Sequence, residues 1–388
     1  MKFVRTILLS LTVASGANFA VAQTWTQTSA PSTNWTAIAC SADGSELVAV
    51  ANGGVGPGPA YIVAPGPIYL STNSGATWTQ ATNAPTATWC SVASSADGTK
   101  LVAAISGGGI YQSVDSGLSW TQNSAPSNGW ISVASSADGN KLAALARIFP
   151  APDFYTSSDA GNTWSTNTSP YDRWKSLASS ADGSTLLACG PSTVLTSTNS
   201  GSSWTTNFIG NGSLSAVATS ADGRRLLAAA SKVYLSTNSG NTWSQISAFN
   251  AWQIASSADG SKLVAAGNSL FYVSTNFGVN WVTNLSPSAY WASLVSSADG
   301  SKLAAAANGG GVWTLQNTPT PALNLVSSNG ALTLSWIVPS TNFVLQQSAG
   351  LSGWSAVTNP PVLNLTNLQN EVVLSPTNAS GFYRLKTP

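Results

Sequence analysis

The chain has no histidine, and only 7 % of its 388 residues are charged. The missing histidine removes the commonest general base, the usual activator of a serine or cysteine nucleophile and the usual transition-metal ligand. Fourteen basic side chains nearly cancel thirteen acidic ones. That leaves no basic surplus for nucleic acid or an anionic membrane, both of which bind through released counterions. Three cysteines, Cys40, Cys90 and Cys189, sit at unrelated places and form no spaced metal set. They read as small buried hydrophobes, the alternative being one disulfide and a free thiol. No metal and no cofactor is expected. Yet 43 % of the residues are hydrophobic and sixteen are tryptophan, which is far from a disordered composition. Polar surface comes from Ser, Thr and Asn.

Residues 1–22 read as a secretory signal: Lys2 and Arg5, an apolar run Ile7 to Val13, then Ala20-Val21-Ala22 as the cleavage site. The apolar run is short of the roughly 20 residues that span a bilayer, and no later stretch is long enough. The expectation is an exported, monomeric protein without a membrane span.

From residue 23 to 316 two phrases alternate at a period near 40. One is an eight-residue box ending in Trp: Ser71–Trp78, Ser113–Trp120, Ser157–Trp164, Ser197–Trp204, Ser236–Trp243 and Ser274–Trp281. The other is Ser-Ala-Asp-Gly, with its aspartate at Asp43, Asp97, Asp138, Asp182, Asp222, Asp259 and Asp299. Between them lie short β-branched, aromatic or alternating runs closed by Gly or Asx turns, with no helical period. Four strands per repeat at this spacing predict an all-β fold, a seven-bladed β-propeller. The last repeat stops at Gln316 without a fourth strand, and an orphan Trp25-Thr26-Gln27 stands at the other end. The N-terminal strand is therefore expected to complete the seventh blade and close the ring. Residues 317–321 read as a linker. Residues 322–388, six period-2 runs with turn signals, read as a small antiparallel β-sandwich.

The box resembles the Asp-box (BNR) repeat of sialidases and related propellers, Ser-x-Asp-x-Gly-x-Thr-Trp. The resemblance implies a structural turn on the face away from the active site. Its aspartate stands here only as Asp115 and Asp159; Asn73, Asn199, Asn238 and Asn276 replace it elsewhere. A sialidase would also bring three arginines, a Tyr–Glu pair and an acid Asp. This chain offers Arg147 and Arg173 on the proper face and no Glu there, so sialidase activity is not expected. The ending Phe382-Tyr383-Arg384-Leu385 is similar to the tail of short all-β modules that close many secreted bacterial proteins.

Setting the repeated turns aside leaves few chemical groups. Asp153 and Asp172 lie in loops opposite the Asp-box face, with Arg147, Arg173, Lys175, Tyr155 and Tyr171 in the same sector. Asp153 and Asp172 read as the carboxylate pair of a glycoside hydrolase, xyloglucanase-like or sialidase-like; the alternative is a surface ion pair between Asp172 and Arg147 or Arg173. Six first strands begin with Trp35, Trp89, Trp130, Trp174, Trp252 and Trp291, with Leu214 in the fifth. These read either as sugar-stacking platforms or as packing between blades. The expected role is a secreted, non-catalytic binding or scaffold module for a glycan or an extracellular or envelope protein.

Overall fold

The computed structural model describes residues 25–53, 64–147, 154–167, 173–209, 213–267, 270–285, 289–316, 323–328, 331–337, 344–349, 353–366, 368–374 and 382–386. The leader expected at 1–22, the linker, Asp153, Tyr171 and Asp172 lie outside the described residues.

Among the described residues every regular element is a β-strand. The second repeat shows the plan: Trp89–Ser94, Leu101–Gly108, Ile110–Ser113 and Thr121–Gln122 form an antiparallel four-stranded unit. The second strand, LVAAISGG, is the apolar middle of the sheet, whereas the last strand is two exposed polar residues. Five further repeats pair in the same order. The unit at the end of the repeats has three strands of its own, Tyr290–Ser296, Lys302–Gly310 and Val312–Gln316. Its fourth is the N-terminal Thr26–Gln27, which pairs with Thr314 and Trp313. The chain's first strand thus covers the edge that its last repeat leaves open.

The two repeated phrases make two kinds of turn. In Ser-Ala-Asp-Gly, Ser95 Oγ donates to Asp97 Oδ1 (2.5 Å), which also accepts the Thr99 amide (3.0 Å). Ser95 Oγ in turn accepts the Lys100 amide (3.0 Å), and Gly98 takes φ +76°. The alanine between them makes a contact that no single repeat could make. The Ala42 amide donates to the Ala96 carbonyl, Ala96 to Ala137, and so on through Ala181, Ala221 and Ala258 to Ala298, whose amide returns to Ala42, all at 2.7–2.9 Å. Seven hydrogen bonds close a ring around the axis.

In the box, Ser113 Oγ accepts the Gly117 amide (2.8 Å) and donates to Asp115 Oδ1 (2.7 Å); that oxygen also accepts the Ser119 amide (2.9 Å). Trp120 Nε1 donates back to the Gly117 carbonyl (3.0 Å). In the first box Ser71 Oγ likewise accepts the Gly75 amide and donates to Asn73 Oδ1, which also accepts the Thr77 amide. Two successive residues are left-handed in each box: Gly75 at φ +87° follows Ser74 at +57°, and Gly117 at +88° follows Ser116 at +58°. The glycine is the residue that allows this backbone cheaply; the one before it accepts strain that the hydrogen bonds hold in place.

The core lies between units. Trp89 packs on Val48, Val50 and Ile68 of the preceding unit and on Leu101 and Ala103 of its own. It meets Tyr111 edge-on (5.6 Å) and the box Trp120 (6.4 Å). Beyond the repeats, a four-stranded sheet (Asn324–Ser328, Ala331–Ile337, Gln369–Leu374, Val362–Asn364) and a three-stranded sheet (Ser355–Ala356, Val344–Ser348, Phe382–Lys386) share a core of Leu334, Trp336, Leu345, Val372 and Leu374.

Candidate functional site

Antiparallel order places both repeated turns on one face, the turn face. The opposite, upper face carries the starts of the first strands and the hairpins between second and third strands. The two faces differ in charge. The nine aspartates of the repeated turns and Glu46 put ten of the thirteen acidic residues on the turn face. Described cations of the upper face are Arg147, Arg173, Lys175 and Lys232.

Each of those nine aspartates accepts hydrogen bonds from its own turn. For Asp115 and Asp159 the side-chain bonds from Ser119 and Thr163 hold the carboxyl below the usual range. For Asp43, Asp97, Asp138 and Asp182 partial burial pushes upward, but the hydroxyl and amide donors together outweigh it and the net shift is down. Burial, aided by nearby Asp43, raises Glu46. An aspartate held ionised by three donors is a turn cap and a poor proton donor. Lysines tie neighbouring turns together: Lys100 Nζ donates to the Asp138 carbonyl (2.9 Å) and Lys262 Nζ to that of Asp299 (2.7 Å). The thiols of Cys40, Cys90 and Cys189 are unpaired, and burial pushes each to about 12. Among the described residues no three metal-ligating side chains come together.

The first-strand tryptophans divide sharply. Trp35, Trp89 and Trp174 are 0 % exposed, Trp130 1 % and Trp291 4 %. A buried indole has no free face for a pyranose, so the stacking-platform alternative fails for these five and the packing alternative holds. Trp252 is 45 % exposed. It stands one residue later in its repeat than the others, seven before its turn aspartate where they stand eight. The equivalent of Trp89 is Ala251, fully buried. A one-residue shift along a strand turns a side chain to the opposite side, and Trp252 consequently faces solvent while Phe249, stacked on Tyr272 at 3.6 Å, helps fill the unit's packing.

On the upper face Trp252 has company. Arg173 and Lys175 flank buried Trp174 in the fourth unit and are both exposed. Lys175 Nζ donates to Ser213 Oγ of the fifth unit (2.5 Å). Tyr290, at the corresponding first-strand start of the last unit, is 76 % exposed. Arg147, exposed, leaves the third unit's second strand with its amide on the Gly129 carbonyl (2.8 Å). Tyr155, by contrast, is 5 % exposed, packed on Trp130 (4.9 Å) with its hydroxyl accepting from Asn128 Nδ2 (3.2 Å). Tyr290 was not singled out in the sequence. Its signal was available: it immediately precedes Trp291, just as Arg173 precedes Trp174.

No family model matches the chain, and no curated protein matches it. Solved structures do. YCF48 bound to D1 peptide superposes with a TM-score of 0.58 at 16 % identity, over 76 % of this chain and 97 % of that one. YCF48 from Cyanidioschyzon merolae gives 0.56 at 13 % identity, over 76 % and 98 %. The Cps50 (Swd1) β-propeller domain of Myceliophteria thermophila gives 0.58 at 13 %, over 76 % and 100 %. Among the described residues no helix is long and apolar enough to cross a membrane. At these identities the likeness establishes the fold: the chain is a β-propeller with an additional all-β segment at its C-terminal end.

Proposed function

We propose that the protein is a secreted, non-catalytic scaffold: a seven-bladed propeller of the Asp-box type, with a C-terminal β-sandwich, that binds a segment of an extracellular or envelope protein on its upper face. The carrying observation is the division of labour between the faces. On the turn face the aspartates cap their own turns. On the upper face Trp252, Tyr290, Arg147, Arg173 and Lys175 stand exposed near the ends of the first and second strands. Aromatic and arginine side chains of this kind are the usual anchors of protein interfaces. That the YCF48 propeller is found with a peptide bound supports a polypeptide as the partner class. A glycan is the competing ligand. With five tryptophans internal, it would have Trp252 and Tyr290 as its aromatic surfaces among those named.

The test is a titration of the protein against panels of peptides and of plant, microbial and sialylated glycans. Saturable binding of a peptide that Trp252→Ala and Arg173→Glu each weaken at least tenfold supports the proposal. Binding and hydrolysis of a glycan that stops with Asp153→Asn or Asp172→Asn would replace it with the hydrolase.

A further inference from the structure

On the turn face the axis opens into a cavity of about 170 Å³ walled by the closed alanine ring and by the residues just before each Ser-Ala-Asp-Gly turn. Those residues are Cys40, five serines and Thr219. Their hydroxyls look polar in sequence, but each is engaged as a donor: Ser94 Oγ bonds the Ser95 carbonyl (2.9 Å), and Ser135, Ser179, Thr219, Ser256 and Ser296 repeat the contact at 2.9–3.0 Å. The alanine amides and carbonyls are joined to one another around the ring. The alanine methyls make the apolar part of a mixed wall whose serine and threonine hydroxyls already have partners, a mouth that can take one apolar side chain.

One such side chain is there. Leu368, from the hairpin joining Val362–Asn364 to Gln369–Leu374, lines the cavity and packs on the alanine ring. Its hairpin is tightly built: the Leu368 amide donates to the Asn364 carbonyl (2.8 Å), and the Thr366 amide to Asn364 Oδ1 (2.9 Å). Leu368 itself has φ +55°, left-handed backbone that a leucine rarely adopts. The hairpin holds that geometry and directs the side chain outward from its own sheet. Leu365 in the same turn is 39 % exposed.

We infer that the Leu368 hairpin is a tether: its leucine seats at the seven-alanine mouth on the turn face and fixes the C-terminal module there. The occupant is this chain's own module. The inference stands independently of what binds the upper face.

The test uses the full chain with a photo-activatable diazirine analogue of leucine at position 368, and in a second preparation at 365. Cross-links from 368 should fall within a few residues of Ala42, Ala96, Ala137, Ala181, Ala221, Ala258 or Ala298, intramolecularly, at several times the yield obtained from 365. In solution scattering, Leu368→Asp should raise the radius of gyration, because a carboxylate cannot remain in that mouth. Cross-links confined to residues 323–386, cross-links between molecules, or an unchanged radius in Leu368→Asp would each overturn the inference.

Discussion

Replacing Trp25 with alanine tests how the ring closes. Trp25 precedes the two-residue strand that completes the last unit and is 7 % exposed. Its ring stacks on Phe271 at 4.0 Å and 22°, within a cluster holding Trp291, Leu294 and Leu315. Phe271 belongs to the sixth unit and Leu315 to the last, so one side chain ties three stretches of chain together. A tryptophan buries up to about 250 Å². At about 25 cal/mol per Å² that gives roughly 6 kcal/mol as an upper bound. Partial collapse of the site lowers the expected loss to about 3–5 kcal/mol. The strand it anchors has two residue pairs, Thr26 with Thr314 and Gln27 with Trp313. Once loosened, it bares the edge of Val312–Gln316, an invitation to edge-to-edge association. Urea unfolding by far-ultraviolet circular dichroism, with light scattering at two protein concentrations, reads both effects. Trp252→Ala is the control, since a half-exposed indole should cost about 1 kcal/mol or less. If Trp25→Ala is no more destabilising than Trp252→Ala, the N-terminal strand does not close the ring.

Three further outcomes follow from the turns and thiols. Ser113→Ala leaves the Gly117 amide without its acceptor and should cost about 1–3 kcal/mol in urea, whereas Asp115→Asn should change the midpoint little, because Asn73 already makes the same contacts. Six turn aspartates have pKa values lowered from 3.8 in the fold. Their contribution is complete above that unfolded value and is lost as pH falls through the lower folded values. Raised Glu46 acts in the opposite sense but is one group; the urea midpoint should therefore be level from pH 7 to 5 and fall below about pH 4, and a midpoint unchanged down to pH 2.5 would contradict the assignment. Because burial pushes all three thiols up to about 12, iodoacetamide at pH 8 should label the native protein far more slowly than the chain in urea, with buried Cys189 protected most and half-buried Cys40 and Cys90 less, as mass spectrometry can count.

Repeat spacing carried most of the architecture because each turn is chemically complete within its own few residues. A Ser, an Asx and a Gly at fixed offsets satisfy one another locally, so the strands between them are legible, as is the missing strand that Trp25-Thr26-Gln27 supplies. The alanine ring was invisible for the opposite reason. An alanine in a repeated phrase carries no polar side chain, and its amide finds a partner only when seven turns meet around an axis. Trp252 looked like its five counterparts because all six begin a first strand, but a one-residue difference in offset turned it outward and left Ala251 in the packed position. Arg147 and Arg173 were found by elimination, since few charged residues lie outside the turns. Tyr290 was passed over although its place beside Trp291 matches that of Arg173 beside Trp174. Leu368 could not be read at all: neither its left-handed backbone nor its seat in the ring leaves a mark in a run of Asn, Leu and Thr.

The proposed function rests on the upper face as binding face and the turn face as framework. Of the sixteen tryptophans, Trp252 is the most exposed, so the emission component that acrylamide quenches most readily should be the one that Trp252→Phe removes. The decisive measurement is that quenching during titration with a peptide ligand. The account predicts saturable shielding of the Trp252 component, lost in Arg173→Glu and retained in Asp115→Asn. Binding that leaves Trp252 quenchable, survives Arg173→Glu and disappears with Asp115→Asn would put the site on the other face and contradict it.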